Sequence, residues 1–454
     1  MRNVKKLASF MLFFFFFFLS LFEGHASASS TPAVFLDTKK LTFNVAPTIE
    51  KGVTYIEFRS LCTSLGYKVQ WNQSNKEATC LGNNERLAYS FNTSFYIHNG
   101  IVHPLQAKPL MIKNRTMIPM RETAQLLNYQ VIWLGTTKDI ILMNSGASLD
   151  IKSRIAEQFL DRLEQTKQFN GVALVAKDND LLFADGYGFA DQQAGRMNTP
   201  DTKFAIASIT KGLTGISILQ LEEQNKLKLT DTVDRFYPHL PYAKQVTIQQ
   251  LLTHTAGFPW EKTGDFKDIK LIYQPGTSQR YSNAGYMLLG KIIEKVSGLP
   301  YEQYVNKNIF SVIDMEHSGF DIASTSLASR ARGYNIQHNR LVEVTRDFSL
   351  RGASGGLYSS AEDLYRLDQA LHTEQLLSKE TTNKMLRPHY GSWGYGWQVF
   401  PTSSGLITQL AGSTTGFTSY IRRNEAQGNT LILLSNHANR NLGSIGRDIE
   451  RIVN

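Results

Sequence analysis

A serine followed three residues later by a lysine occurs once in this chain, at Ser208-Ile209-Thr210-Lys211. Three positions make about one turn of helix, so both side chains would leave the same face and meet. A serine hydroxyl is a poor nucleophile at neutral pH until a base takes its proton, and a partly desolvated lysine amine can be that base. Lys203-Phe204-Ala205-Ile206-Ala207 before it reads as extended, and Leu213, Ile216, Leu219 and Leu221 after it have largely helical spacing. Ser208 is therefore expected at a helix N-terminus, where free N–H groups and the helix dipole favour an oxyanion.

A second group of candidates is Arg280-Tyr281-Ser282-Asn283, ahead of the helical Ala284-Gly285-Tyr286-Met287-Leu288-Leu289-Gly290. A tyrosine with its pKa lowered by a nearby lysine shuttles protons, and an asparagine amide can hold both that lysine and a substrate carbonyl. Tyr304-Val305-Asn306 repeats the Tyr-x-Asn spacing, but inside an amphipathic helix, where positions two apart diverge. Tyr281 follows Pro275-Gly276 in a loop, where polar groups are readily displayed.

The elements that must position these residues begin at about residue 150. Asp150 is placed to cap an amphipathic helix carrying Ile151, Ile155, Phe159 and Leu163, and the chain ends in another with Ile445, Ile449 and Ile452 on one face. Strand-like runs lie just inside both ends, at Gly171–Ala176 and Thr430–Leu434. One sheet built from both ends of the domain and covered by helices accounts for the pattern, with a more helical middle from 213 to 371 and the site in the cleft between the two parts.

At 454 residues the chain has room for two or three domains, and 42% hydrophobic and 19% charged residues describe an ordinary globular composition. Arg2, Lys5 and Lys6, the apolar run Phe10 to Phe22 and Ala26-Ser27-Ala28 read as a secretory signal over residues 1–28, since the run falls short of the roughly 20 residues of a spanning helix. The mature protein is thus expected to be secreted or extracellular and not integral to a membrane. The two cysteines, Cys62 and Cys80, would then lie in an oxidising space where they can pair or remain as two buried thiols. A net charge of +9 without a run of Lys and Arg gives little support to nucleic acid and more to anionic wall polymers.

Residues 31–144 repeat themselves. Tyr55-Ile56-Glu57-Phe58-Arg59 and Leu65-Gly66-Tyr67-Lys68-Val69-Gln70-Trp71 return as Met117-Ile118-Pro119-Met120-Arg121 and Leu127-Asn128-Tyr129-Gln130-Val131-Ile132-Trp133, always 62 residues on (121 minus 59, 133 minus 71). Each copy predicts a strand, a short helix and a second strand, burying its apolar face against its twin. His98 and His103 are the only histidines in the stretch and make a poor metal site, so no metal is expected. The stretch resembles the copper amine oxidase N-terminal-like domain of exported bacterial proteins, which implies a non-catalytic stalk with a role in wall contact or spacing.

From residue 150 to 454 the chain resembles the serine β-lactamase and penicillin-binding-protein superfamily, closest to its class C-like branch. Besides Ser208–Lys211 and Tyr281-Ser282-Asn283, the resemblance rests on Leu251-Leu252-Thr253-His254-Thr255-Ala256-Gly257-Phe258, Gly352-Ala353-Ser354-Gly355-Gly356-Leu357 and Gly412-Ser413-Thr414-Thr415-Gly416-Phe417. It implies an α+β fold of the β-lactamase/transpeptidase type, an antiparallel sheet flanked by terminal helices plus a helical subdomain, behind the small duplicated α+β domain. It further implies Ser208 as the acylated nucleophile, Lys211 and Tyr281 as the proton-transfer pair, and Asn283 as a positioning group. The N–H groups of Ser208 and of Ser413, beside Gly412, would form the oxyanion hole, and His254 would brace a loop. No cofactor is implied, and the substrate would be a small molecule or a peptidoglycan peptide, with D-alanyl-D-alanine carboxypeptidase chemistry ahead of esterase or weak β-lactamase activity. One departure stands out: the family's third motif begins with Lys or His two residues before the glycine, and here that residue is Leu410. Losing a cation that pairs with a substrate carboxylate removes roughly 1.5–3 kcal/mol, unless Arg422 or Arg423 reaches the site.

Two rival readings remain at this level. Gly352-Ala353-Ser354-Gly355-Gly356 matches the nucleophile elbow of α/β-hydrolases, but it lacks the apolar strand and immediate helix that an elbow needs. The other rival is a non-catalytic wall-binding protein that keeps the fold, since fold alone does not establish activity.

Overall fold

The computed structural model describes residues 32–82, 84–91, 93–262, 264–320, 329–338, 340–344 and 349–454; the expected signal over 1–28 lies outside them. The chain forms two compact units, one up to Ser145 and one from Gly146 onward, apart from Gly135–Thr137, which group with the second. Each unit has its own hydrophobic core, drawn from residues 34–142 in the first and 172–434 in the second.

In the first unit the repeat is a structural one. Val53–Glu57 pairs antiparallel with Arg115–Pro119, and Ile56 faces Ile118, the residue 62 further on (118 minus 56). Equivalent strands thus meet at equivalent positions, as two copies related by a local two-fold must. Each strand runs into a seven-residue helix, Phe58–Ser64 and Met120–Leu126, starting one residue before the arginine. Cys62 on the first helix is bonded to Cys80 on the strand Glu77–Gly82, with 6.2 Å between their Cα atoms. Of the two states left open for the cysteines, the structure takes the bridge. In the second copy the equivalent positions are Ala124 and Leu142, both fully buried, so packing does there what the bridge does here.

The second unit is a six-stranded antiparallel sheet between helices. Its strands are β1 (Gly171–Lys177), β2 (Asp180–Tyr187), β3 (Gln398–Thr402), β4 (Gly405–Thr414), β5 (Phe417–Asn424) and β6 (Asn429–Ser435), in the order β2-β1-β6-β5-β4-β3. β1 and β6, from opposite ends of the domain, are neighbours, with Val172 opposite Leu434 and Leu174 opposite Ile432. Every residue of β6 is buried, which fits a strand covered on both faces. The terminal helices α1 (Leu149–Gln165) and α5 (Leu442–Val453) pack together over one face, and α4 (Ala361–His372) lies against β1 and β6. Ser148, rather than Asp150, caps α1: its hydroxyl accepts the Ile151 N–H at 3.4 Å, while Asp150 sits in the first turn.

The middle of the unit is helical, around α2 (Thr210–Glu223) and α3 (Asn283–Ser297). All residues of α2 from Thr210 to Leu221 are buried, so it is a core helix without a wet face. Among the described residues no helix is long and apolar enough to cross a membrane.

Candidate active site

Ser208 lies in a single 3-10 turn, Ala207–Ile209, joining the short strand Phe204–Ala205 to α2. Ala207 has φ of +47°, in the left-handed region that a residue with a Cβ enters at a cost of about 1–2 kcal/mol. One turn on, Lys211 is fully buried with its Nζ 3.2 Å from the Ser208 Oγ. The same nitrogen donates to the Asn283 Oδ1 at 2.7 Å and to the Ser354 carbonyl at 2.6 Å. The Tyr281 hydroxyl donates to the Ser208 Oγ at 2.7 Å. Ser208, Lys211, Tyr281 and Asn283 therefore converge, from the start of α2 and from the loop into α3.

Burial pushes the Lys211 ammonium well below the ordinary lysine range, with Glu261 pulling it back up and Arg351 pushing it further down. A neutral amine has two N–H bonds and one lone pair. In that form Asn283 Oδ1 and the Ser354 carbonyl, which only accept, take both hydrogens and the lone pair is left for the Ser208 hydroxyl, whereas an ammonium donates to all three oxygens. Tyr281 departs from the sequence expectation. Its pKa is raised to about 12, because burial outweighs the hydrogen bond to Ser208. Burial thus moves the two groups apart, Lys211 down and Tyr281 up.

β4 forms the opposite wall. Its pairing with β3 ends at Gln409, so the backbone from Leu410 to Thr414 continues with β5 on one side and turns its other edge to the Ser208 turn. Contact is so close that a Cβ on Gly412 would stand 2.2 Å from the Ile206 carbonyl oxygen and 2.3 Å from the Ser419 Oγ. Ser413, next along the strand, is exposed.

Leu410 shares the Gly412 face and is buried at 2% exposure. Its Cδ1 lies against Gly212 in the first turn of α2, 3.0 Å from where a Cβ there would be. Neither arginine replaces the family's cation. Arg422 is held by Glu450 at 2.8 Å and Gln409 at 3.0 Å, and Arg423 by Asp368 at 2.7 Å. Both are committed to helices covering the sheet.

His254 is buried and neutral, its pKa driven well below normal by burial. Its Nδ1 accepts the Ser282 N–H at 3.1 Å, and its ring lies 4.5 Å from Tyr281 and 4.6 Å from Trp393. It braces the loop that carries Tyr281, as expected. Ser354 is buried at 1% exposure with its hydroxyl donated to the Arg351 carbonyl, so it is no elbow nucleophile; its main-chain oxygen positions Lys211 instead.

Three residues at the site had no sequence signal. The Asn283 Nδ2 donates to the Glu261 Oε1 at 2.7 Å, and Arg351 pairs with the same oxygen at 3.0 Å. A carboxylate accepts only, so Glu261 fixes the Asn283 amide with its oxygen toward Lys211. Trp260 beside it is half exposed, 5.2 Å from the Tyr281 ring at the mouth of the cleft.

A hydroxyl between a buried lysine of lowered pKa and a protonated tyrosine, beside the free part of the β4 edge, is the apparatus of a serine hydrolase. Residues 156–451 match the Beta-lactamase family model, and residues 35–142 match that of the copper amine oxidase N-terminal domain. The chain belongs to the β-lactamase family and is a serine hydrolase with a copper amine oxidase N-terminal domain ahead of the catalytic one. PbpX of Bacillus subtilis (strain 168), which carries the name of a penicillin-binding protein, is 33% identical over 301 residues, 63% of this chain and 75% of its own. The teichoic acid D-alanine hydrolase of Staphylococcus aureus (strain MRSA252) is 27% identical over 278 residues, 58% of this chain and 70% of its own. Among solved structures, a penicillin-binding protein from Bacillus halodurans superposes with a TM-score of 0.59 at 28% identity, covering 64% of this chain and 99% of that one.

Proposed function

We propose that this protein is an exported hydrolase that removes D-alanyl groups from cell-envelope substrates through a Ser208 ester. The reading rests on one observation, the Ser208 Oγ standing 3.2 Å from the Lys211 Nζ and 2.7 Å from the Tyr281 hydroxyl. Ser208 attacks the substrate carbonyl carbon and passes its proton to Lys211. The oxyanion is met by the N–H groups of Ser208 and Ser413. Tyr281 gives its proton to the departing oxygen or nitrogen and recovers one from Lys211, and the acyl–Ser208 ester remains. Water then attacks the ester, losing a proton to the same pair as the Ser208 oxygen regains one.

The family resemblance favours D-alanyl-D-alanine peptides, and the surroundings of Leu410 favour D-alanyl esters. A peptide ending in a free carboxylate needs a cation, and here that position is apolar and buried while Arg422 and Arg423 are paired elsewhere. An aminoacyl ester has no such carboxylate. The related teichoic acid D-alanine hydrolase supports this choice, and weak β-lactamase activity follows from the same missing cation. Export rests on residues 1–28 and on the bridged Cys62 and Cys80.

A fluorophosphonate should label the purified protein, Ser208→Ala should abolish the label, and Ser354→Ala should retain it. On a substrate panel, kcat/KM should be at least about tenfold higher for D-alanyl esters than for peptides ending in D-alanyl-D-alanine, the equivalent of about 1.4 kcal/mol. Labelling that survives Ser208→Ala would refute the nucleophile, and preference for the peptides would refute the substrate.

A further inference from the structure

The first unit carries two grooves that its repeat makes equivalent, and neither takes part in the chemistry above. One, of about 230 Å³, is lined by Arg59, Val69 and Trp71; the other, of about 840 Å³, by Arg121, Val131 and Trp133. Each residue of the second set lies 62 positions after its counterpart (121 minus 59, 131 minus 69, 133 minus 71). The grooves are also reciprocal, because Thr116 from the second copy closes the first and Thr54 from the first copy closes the second.

Both tryptophans are held partly in the open, Trp71 at 39% and Trp133 at 40% exposure. Both arginines are exposed, and among the described residues no ion pair holds either of them. A helix-starting arginine beside a half-open indole, kept in two copies, is more than either copy needs in order to fold. Between residues 32 and 145 there are 12 Lys and Arg against 7 Asp and Glu, a net +5. The larger groove has one more feature: Glu122 has its Oε2 shielded from solvent and without a partner in the structure, and its carboxyl is raised above its ordinary pKa mainly by burial. Such a group takes or gives a hydrogen bond to a ligand hydroxyl.

We propose that the two grooves form a bivalent site for a repeating, polyhydroxylated polyanion, a wall glycopolymer whose units carry phosphate or carboxylate. Each indole offers a flat apolar face to a sugar or polyol backbone, and each guanidinium forks onto an anion. Two grooves on one compact unit hold two segments of the same polymer, so the second contact is intramolecular and strengthens the whole. The proposal is independent of the substrate assigned to Ser208.

The test uses the full-length, disulfide-bonded protein. Retention is measured on poly(glycerol phosphate), on a uronic-acid polysaccharide, on cell walls before and after acid removal of their phosphate polymers, and on duplex DNA. The wild type should bind one of the two anionic polymers, which identifies the anion, and should lose the stripped walls. Trp71→Ala or Trp133→Ala should each weaken binding about tenfold, and the double variant about a hundredfold or more. Arg59→Gln with Arg121→Gln should flatten the salt dependence. The calorimetric transition of the first unit serves as the check that each variant is folded. Unchanged binding by the double tryptophan variant, equal binding to stripped walls, or equal binding to DNA would overturn the proposal, as would no binding to either polymer at physiological salt.

Discussion

Around Ser208 the decisive quantity is the protonation of Lys211, which burial sets and two half-exposed neighbours adjust in opposite directions. Activity needs the neutral amine, so kcat/KM should rise with pH through the depressed Lys211 pKa. It should then stay level, because Tyr281 at about 12 releases its proton only beyond the working range. Glu261 favours the ammonium, so Glu261→Gln should move the acidic limb to lower pH, while the Gln oxygen still accepts from Asn283. Arg351 disfavours the ammonium, and Arg351→Met should move the limb to higher pH. A pH–rate series on a chromogenic ester decides it: limbs that fail to separate in opposite directions would show that the pair does not act on Lys211. The sequence reveals half of this network. Ser208 with Lys211 and Tyr281 with Asn283 are spaced by one turn or less, so local chemistry betrays them. Glu261 and Arg351 come from loops 90 residues apart and meet only through the fold, and only Leu410 could have been placed, since it alternates with Gly412 onto one face of β4.

The Ser208 turn and β4 are held so closely that a missing side chain is a structural requirement. Gly412→Ala would put a methyl group 2.2 Å from the Ile206 carbonyl, two residues before Ser208. β4 is fixed by its ladder to β5, so the Ser208 turn is the part that must yield. We expect kcat/KM to fall about 100-fold or more, since a shift of about 1 Å at reacting atoms has that effect. The melting temperature should fall by only a few degrees, because the sheet and α2 stay packed. A mutant that loses both in proportion would mean that Gly412 serves stability alone. The glycine was legible as part of a motif. The left-handed Ala207 opposite it was not, because a residue with a Cβ is seldom expected at positive φ.

Two units with separate cores should lose stability separately. The repeat was plain in the sequence because both copies keep the same aromatic and arginine positions; the bridge was not, because two cysteines 18 apart say nothing about whether their Cβ atoms face each other. Cys62 and Cys80 tie a helix to the five-stranded sheet of the first copy, whereas the second copy manages with Ala124 and Leu142. Replacing the bridge by that same pair, Cys62→Ala with Cys80→Leu, removes a constraint on the unfolded chain of about 3 kcal/mol. It also supplies the packing by which the twin already stands. The calorimetric transition of the first unit should therefore move down by less than in the Cys62→Ala, Cys80→Ala variant, and that of the second unit should not move in either. Hydrolysis of small esters should match the wild type in both variants, since Ser208, Lys211 and Tyr281 belong to the other unit. A single shared transition that drops with the bridge, or kcat falling with it, would show the two units to be one cooperative body.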